Sequence, residues 1–225
     1  MSNINLITLT DPQSATAEAF RTLRTNLMFS SLEKPIHTLL VTSAADSGDK
    51  SAAVANLAVT FAQSGHRTIL VDSDLRRPMQ HQIWGIDNAK GLTTMILEDS
   101  SMSSPPLVET EIDNLSILPS GFLPTVPADV LSSQRMGEVI GVLKARADYV
   151  IFDSPPVMAA SDAALLGSKV DGALLVVRAG NTRRDHVIQA KQALERVHVR
   201  LVGSVLTNAP REGSGKRYGA KAKRG

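Results

Sequence analysis

The stretch HTLLVTSAADSGDKS, residues 37–51, decides how the rest of the chain reads. Its apolar run, Thr38, Leu39, Leu40 and Val41, predicts a strand; the small and polar residues after it predict a loop, and the pattern from Ala52 to Gln63 a helix. Strand, tight loop and helix in that order form a phosphate cradle. Backbone N–H groups and the positive end of the helix face the anion, a lysine reaches the outer phosphates, and a hydroxyl ligates magnesium. Lys50 and Ser51 suit those last two tasks. The pattern G-x-x-x-x-G-K-[ST] asks for glycine just before the lysine, where this chain has Asp49, and again five residues earlier, where it has Ala44; the loop keeps Gly48. An aspartate adds a side chain and a negative charge where backbone must approach phosphate closely. By itself the loop therefore leaves open both a nucleotide site and an ordinary polar turn.

Two further segments favour the first. RTILVD (67–72) reads as a buried strand followed by SDLRRP, and DYVIFD (148–153) as a strand followed by Ser154, Pro155 and Pro156. Carboxylates at the C-terminal ends of strands stand where open α/β sheets bind ligands. Asp72 and Asp74 are thus candidates for holding a metal-bound water or accepting a hydroxyl proton. Asp153 has the form of a Walker B carboxylate, which orients magnesium through water. Each could be a turn-capping aspartate, a reading that weakens when three follow one loop.

Beyond Asp153 the alternation continues, with a helix near Ser161–Ser168, a strand from Gly172 to Arg178, a helix from Arg184 to Val197 and a strand from Leu201 to Thr207. Alternation throughout implies an α/β fold, P-loop NTPase-like, with a mostly parallel central sheet and helices on both faces. Asn208 follows the last strand on the ligand edge, as a purine-reading amide or a turn residue. The segment 79–127 is less informative: a short amphipathic piece from Gly91 to Leu97, a Ser/Pro-rich connection and an apolar run from Leu115 to Leu118, with Trp84 and Phe122 expected to pack. One helical period is expected from Ala128 to Arg146. At the other end, residues 1–13 read as an extended lead-in, and Ser14 as the N-cap of a helix to about Ser31. Glu18, Arg21 and Arg24 form one charged stripe on it, and Phe20, Leu23, Leu27 and Met28 an apolar one. Spacing alone favours a solvated face over a subunit contact.

At 225 residues the chain suffices for one sizeable domain. The net charge is only +2, but Arg211, Lys216, Arg217, Lys221, Lys223 and Arg224 face a single acid, Glu212, at the C-terminal end, which reads as a solubilising, disordered tail, with attraction to anionic lipid or polyphosphate as the sharper alternative. The absence of cysteine excludes disulfides and thiolate metal sites, and the five histidines are scattered without ligand spacing. No run approaches a membrane span, and the N-terminus lacks a basic region followed by an apolar one, so a cytoplasmic location is expected.

Taken together, EAFRTLRTN (18–26), the loop through Lys50 and Ser51, VDSDLRRP (71–78), GLT (91–93), VIFDSPP (150–156) with SDA (161–163), VVRAGNT (176–182) and the strand ending at Asn208 resemble the bacterial tyrosine kinases of capsular and exopolysaccharide assembly, within the wider MinD/ParA-like P-loop group. The resemblance runs from about Leu6 to Asn208. It implies a kinase domain over 1–210 with a basic tail over 211–225, and an ATP-dependent protein-tyrosine autokinase using ATP/ADP and Mg2+. Asp46, Ser47, Gly48, Asp49, Lys50, Ser51 and Ala52 would hold the phosphates and Asn208 the adenine. Ser51, Asp72 and Asp153 would serve the metal, with Asp72 and Asp74 activating the tyrosine hydroxyl. It also implies that Glu18, Arg21 and Arg24 make the subunit contact of a homo-oligomeric ring, reversing the preference that spacing gave. A separate membrane activator of the polysaccharide chain-length regulator type would bring the protein to the inner face of the membrane, and no nucleic acid is expected. Family loops usually read P-G-E-G-K-[ST] and family tails carry a tyrosine cluster; here Asp49 replaces the last glycine and the tail has Tyr218 alone. These departures motivate a second expectation, a catalytically weakened assembly module, ahead of a third, a ParA/MinD-type ATPase.

Overall fold

The computed structural model describes residues 5–29, 34–46 and 48–209. A helical turn, α1 (Ile7–Thr10), leads into α2 (Ala15–Phe29), then β1 (Thr38–Ser43), α3 (Lys50–Gln63) and β2 (Thr68–Asp72). Next come α4 (Gln80–Trp84), α5 (Leu92–Leu97), α6 (Ser100–Ser103), β3 (Val108–Glu109) and β4 (Leu115–Leu118). The second half runs α7 (Pro127–Ser132), α8 (Gln134–Lys144), β5 (Tyr149–Asp153), α9 (Asp162–Gly167), β6 (Gly172–Arg178), α10 (Arg184–Arg196) and β7 (Leu201–Thr207).

The seven strands form one sheet in the order β3-β4-β2-β5-β1-β6-β7, parallel except for the antiparallel β3–β4 pair. Successive side chains on a strand point to opposite faces, and the core divides accordingly. Leu40, Ile69, Val71, Val150, Phe152 and Leu175 pack under α8, α9 and α10, with Leu143, Leu166 and Leu194 among their partners. Leu39, Val41, Leu70, Ile151, Leu174 and Val176 pack on the other face against α3, which presents Val54, Leu57 and Phe61. Each fully buried Leu, Val or Phe side chain contributes about 1.5–3 kcal/mol through burial. Both faces are covered, so the central strands are apolar throughout and polar side chains collect where the strands end.

Register then decides which polar groups meet. Asp72 and Asp153 are direct partners at the ends of β2 and β5, and Val41 of β1 pairs with Asp153. Two carboxylates are thus forced side by side next to the loop that leaves β1.

Several expectations change. The lead-in contains α1 where an extended chain was expected; Thr8 binds Asn56 of α3 through both its backbone N–H and its hydroxyl. The single period expected over 128–146 is two helices, because Ser133 leaves the helical conformation and its hydroxyl caps α8 by accepting from the Met136 N–H. Trp84 is buried as expected, but Phe122 is 48% exposed. Ser14 does cap α2, accepting from the Ala17 N–H.

Candidate active site

β1 ends at Ser43, the loop turns through Gly48 at φ +72°, and α3 starts at Lys50. Only glycine takes that left-handed φ without strain. Asp49, by contrast, sits at φ −119° and ψ −5°, a conformation open to any L-residue. The glycine expected at this position is therefore not required by backbone geometry. Ser47 lies outside the described residues.

Lys50, Ser51, Ala52, Gly48 and Asp46 line one pocket of about 390 Å³, together with Asp74, Arg77 and an apolar wall of Met79, Ile83 and Pro156. Lys50 is 93% buried by its 7% exposure and its ammonium binds the Asp153 carboxylate, with Ser51 Oγ 3.4 Å away. The other oxygen of Asp153 accepts from Gln80 Nε2 at 2.8 Å. Gln80 also donates to the Ser51 carbonyl, and its Oε1 accepts from the Trp84 indole. Asp72 is fully buried: Oδ2 accepts from the backbone N–H groups of Met79 and Gln80, and Oδ1 from that of Asp74. Burial first, and then the neighbouring Asp153 charge, push the Asp72 carboxyl well above the usual carboxylate range. Asp74 is raised as well, chiefly by burial, although its Oδ1 accepts from the Arg76 and Arg77 N–H groups. Three carboxylates thus gather near one buried ammonium, which pairs with Asp153, and burial is the main reason the other two are raised.

On the other side of the loop, Asp49 Oδ2 accepts from Thr207 Oγ1 at 2.6 Å and lies 3.9 Å from Arg178 Nε. Asn208, just beyond, is exposed at φ +51° with its amide toward the Ala179 carbonyl, and borders a groove between β7 and α2. On α2 the predicted stripe is engaged within the chain. Arg21 binds Glu18 and the Pro12 carbonyl, and Arg24 donates to the Thr60 carbonyl of α3. Tyr218 lies outside the described residues.

The structure also involves residues that the sequence reading did not single out. Gln80 gave no signal, since a glutamine at the start of a short helix has no pattern. Arg178 and Thr207 end strands on the same edge as Asp72, and that position could have flagged them. Asp162, inside the SDA segment, is fully buried and holds Arg76 through a two-point bond of 2.8 and 3.0 Å, which fixes the SDLRRP loop. The GLT segment has a packing reason: Leu92 and Thr93 donate their N–H groups to Pro119 and Ser120, and a Cβ on Gly91 would lie 2.0 Å from the Pro119 oxygen.

A family described as AAA domain matches residues 46–199. Tyrosine-protein kinase YwqD of Bacillus subtilis (strain 168) is 40% identical over 202 residues, covering 90% of this chain and 85% of that one. The chain belongs to the bacterial tyrosine kinases. The solved kinase domain of Escherichia coli tyrosine kinase ETK superposes with a TM-score of 0.88 at 29% identity, over 98% of this chain and 86% of that one. A MinD from Pyrococcus horikoshii, solved with Mg-ADP, shares the fold at a TM-score of 0.64 and 21% identity, over 76% of this chain and 69% of that one. The mostly parallel sheet is that of this nucleotide-binding P-loop group. Among the described residues, no helix of this bacterial tyrosine kinase is long and apolar enough to cross a membrane.

Proposed function

We propose that the chain is an ATP- and Mg2+-dependent protein-tyrosine kinase acting in capsular or exopolysaccharide assembly. The observation that carries this reading is the convergence of Lys50 and Ser51 at the head of α3 with Asp74 in one pocket, backed by Asp72 and Asp153. Lys50 would leave Asp153 for the outer phosphates of ATP, and the α3 N-terminal amides would face the same anion.

Three carboxylates beside one ammonium favour a cation, but the oxygens of Asp72 and Asp153 are already engaged by Lys50, Gln80 and backbone N–H groups. Among the described residues no three acidic or histidine side chains form a cation cage. The set fits an ion held by Ser51 and phosphate, with Asp72 and Asp153 acting through water. An ion bound there would supply charge neutralisation at the phosphates.

Of the three buried carboxylates, Asp72, Asp74 and Asp153, it is Asp74 that lines the pocket, so it would take the phenolic proton. The tyrosine oxygen bonds to the γ-phosphorus as the bond from that phosphorus to the β,γ-bridging oxygen breaks, and ADP departs with the electron pair. A carboxylate whose proton affinity is raised by burial is better matched to a phenol than an exposed one. Asp72, enclosed by backbone donors, would shape the loop that carries Asp74. The basic tail over 211–225 would present Tyr218 to a neighbouring copy. Glu18, Arg21 and Arg24 would join copies in a ring once their bonds within the chain rearrange, and a separate membrane-bound activator would recruit them.

The test is phosphotyrosine formation by the full chain with ATP and magnesium, alone and with the cytoplasmic segment of a candidate activator. Lys50→Met is expected to lower it by about 10³-fold, the scale of losing one preorganised charge contact to the reacting group. Equal phosphotyrosine in wild type and Lys50→Met, or none in either, would overturn the reading and leave an assembly module.

A further inference from the structure

An aspartate immediately before a helix ordinarily caps it: the carboxylate swings over the first turn and accepts from the second or third amide. Asp49 occupies that position on α3, and Ser51 and Ala52 carry the amides it would take, yet it makes no capping bond. Its Oδ2 is drawn sideways to the Thr207 hydroxyl at 2.6 Å, with the Arg178 guanidinium beside it. Arg178 and Thr207 are register partners across β6 and β7, so one rung of the sheet supplies both restraints. Meanwhile Oδ1 of Asp49 is buried without a hydrogen-bond partner. An unsatisfied buried oxygen is destabilising, and the capping bond would relieve that. The carboxylate is therefore held away from its own local preference.

We infer that Thr207 and Arg178 are positioning residues for nucleotide binding, holding Asp49 aside so that it does not cap α3 and consume the amides that a phosphate needs. The inference rests on the nucleotide reading of this loop. A glycine before the lysine poses no such problem, because it has no side chain to compete. With aspartate there, an unrestrained carboxylate would occupy the donors and place a negative charge where the phosphates enter. The restraint makes this loop usable despite its departure from the usual pattern.

The experiment is calorimetric binding of a non-hydrolysable ATP analogue, with magnesium at fixed salt, to the full chain. Thr207→Val, which keeps shape and removes the hydroxyl, is expected to weaken binding about tenfold. Thr207→Ser should retain most of the affinity, and Asp49→Gly placed on top of Thr207→Val should recover most of the loss. A merely structural role for Thr207 would not predict that recovery. Should Thr207→Val fail to fold, Arg178→Gln with and without Asp49→Gly runs the same cycle. Undiminished binding by Thr207→Val, or a loss that Asp49→Gly leaves in place, overturns the inference. A wild type that binds no analogue instead overturns the nucleotide reading itself.

Discussion

On the β2 and β5 side of the phosphate loop, Asp72, Asp153 and Gln80 are buried and bonded to one another's neighbours, whereas on the β6 and β7 side Asp49 and Arg178 keep 27% and 35% of their side chains exposed. The buried side concentrates charge: register places two carboxylates together, one lysine answers them, and burial raises Asp72 and Asp74. The partly exposed side holds its single carboxylate by a hydroxyl and a more distant guanidinium. Charge in the dry half is strongly felt and suits chemistry, while the wetter half accommodates Asp49 because Thr207 and Arg178 hold one of its oxygens. Breaking the comparison means showing that the buried half is insensitive to its charges.

The largest effect is expected at Asp74. Asp74→Asn should lower kcat for tyrosine phosphorylation by about 10²–10⁴-fold, the usual contribution of a positioned base. Because burial raises Asp74, the acidic limb of the wild-type kcat/KM profile should lie above the ordinary carboxylate range, with activity rising as the group loses its proton. Full activity in Asp74→Asn would move the base elsewhere. A smaller effect, on stability, is expected at Arg76. Its removal in Arg76→Ala leaves Asp162 buried without its two-point partner. Urea unfolding should show a loss of about 2 kcal/mol, below the range for wholly buried pairs because Arg76 is partly in solvent. Arg76→Lys should recover only part of it, since an ammonium cannot make both parallel bonds; no loss in Arg76→Ala would show that the SDLRRP loop is held by other contacts.

The same contrast explains what the sequence made legible. Apolar runs ending in Asp72 and Asp153 identify the strands and place both carboxylates on the ligand edge, because an apolar strand covered on two faces leaves polar side chains only at its ends. The Lys50–Ser51 pair likewise marks the start of α3. Contacts across long separations were not legible: Gln80 reaches Asp153, and Thr207 reaches Asp49, from segments whose local patterns say nothing of those partners. By motif alone Asp49 reads as an obstruction, because a motif counts residues and not side-chain direction, and that direction is set by a rung far along the chain, with Thr207 lying 158 residues away. The break at Ser133 was hidden because α7 and α8 both bury an apolar face against the same core.

The smallest effect concerns the pH dependence of folding without nucleotide. The Asp72 carboxyl binds its proton more tightly in the folded chain than in the unfolded one, since burial and Asp153 both disfavour its charge. Below the ordinary carboxylate range both states hold the proton, and the group's stabilising contribution is complete. As pH rises, the unfolded chain ionises first, so the contribution declines until pH passes the raised folded value. Stability from this group should therefore fall between the ordinary carboxylate range and that raised value, with a slope no steeper than about 1.4 kcal/mol per pH unit for one proton. Denaturant midpoints across that interval should show the decline in wild type and a flatter profile in Asp72→Asn. Parallel profiles would mean that Asp72 is ionised in the folded chain with its charge already compensated, and the contrast between the dry and wet sides of the loop would then rest on Asp153 and Lys50 alone.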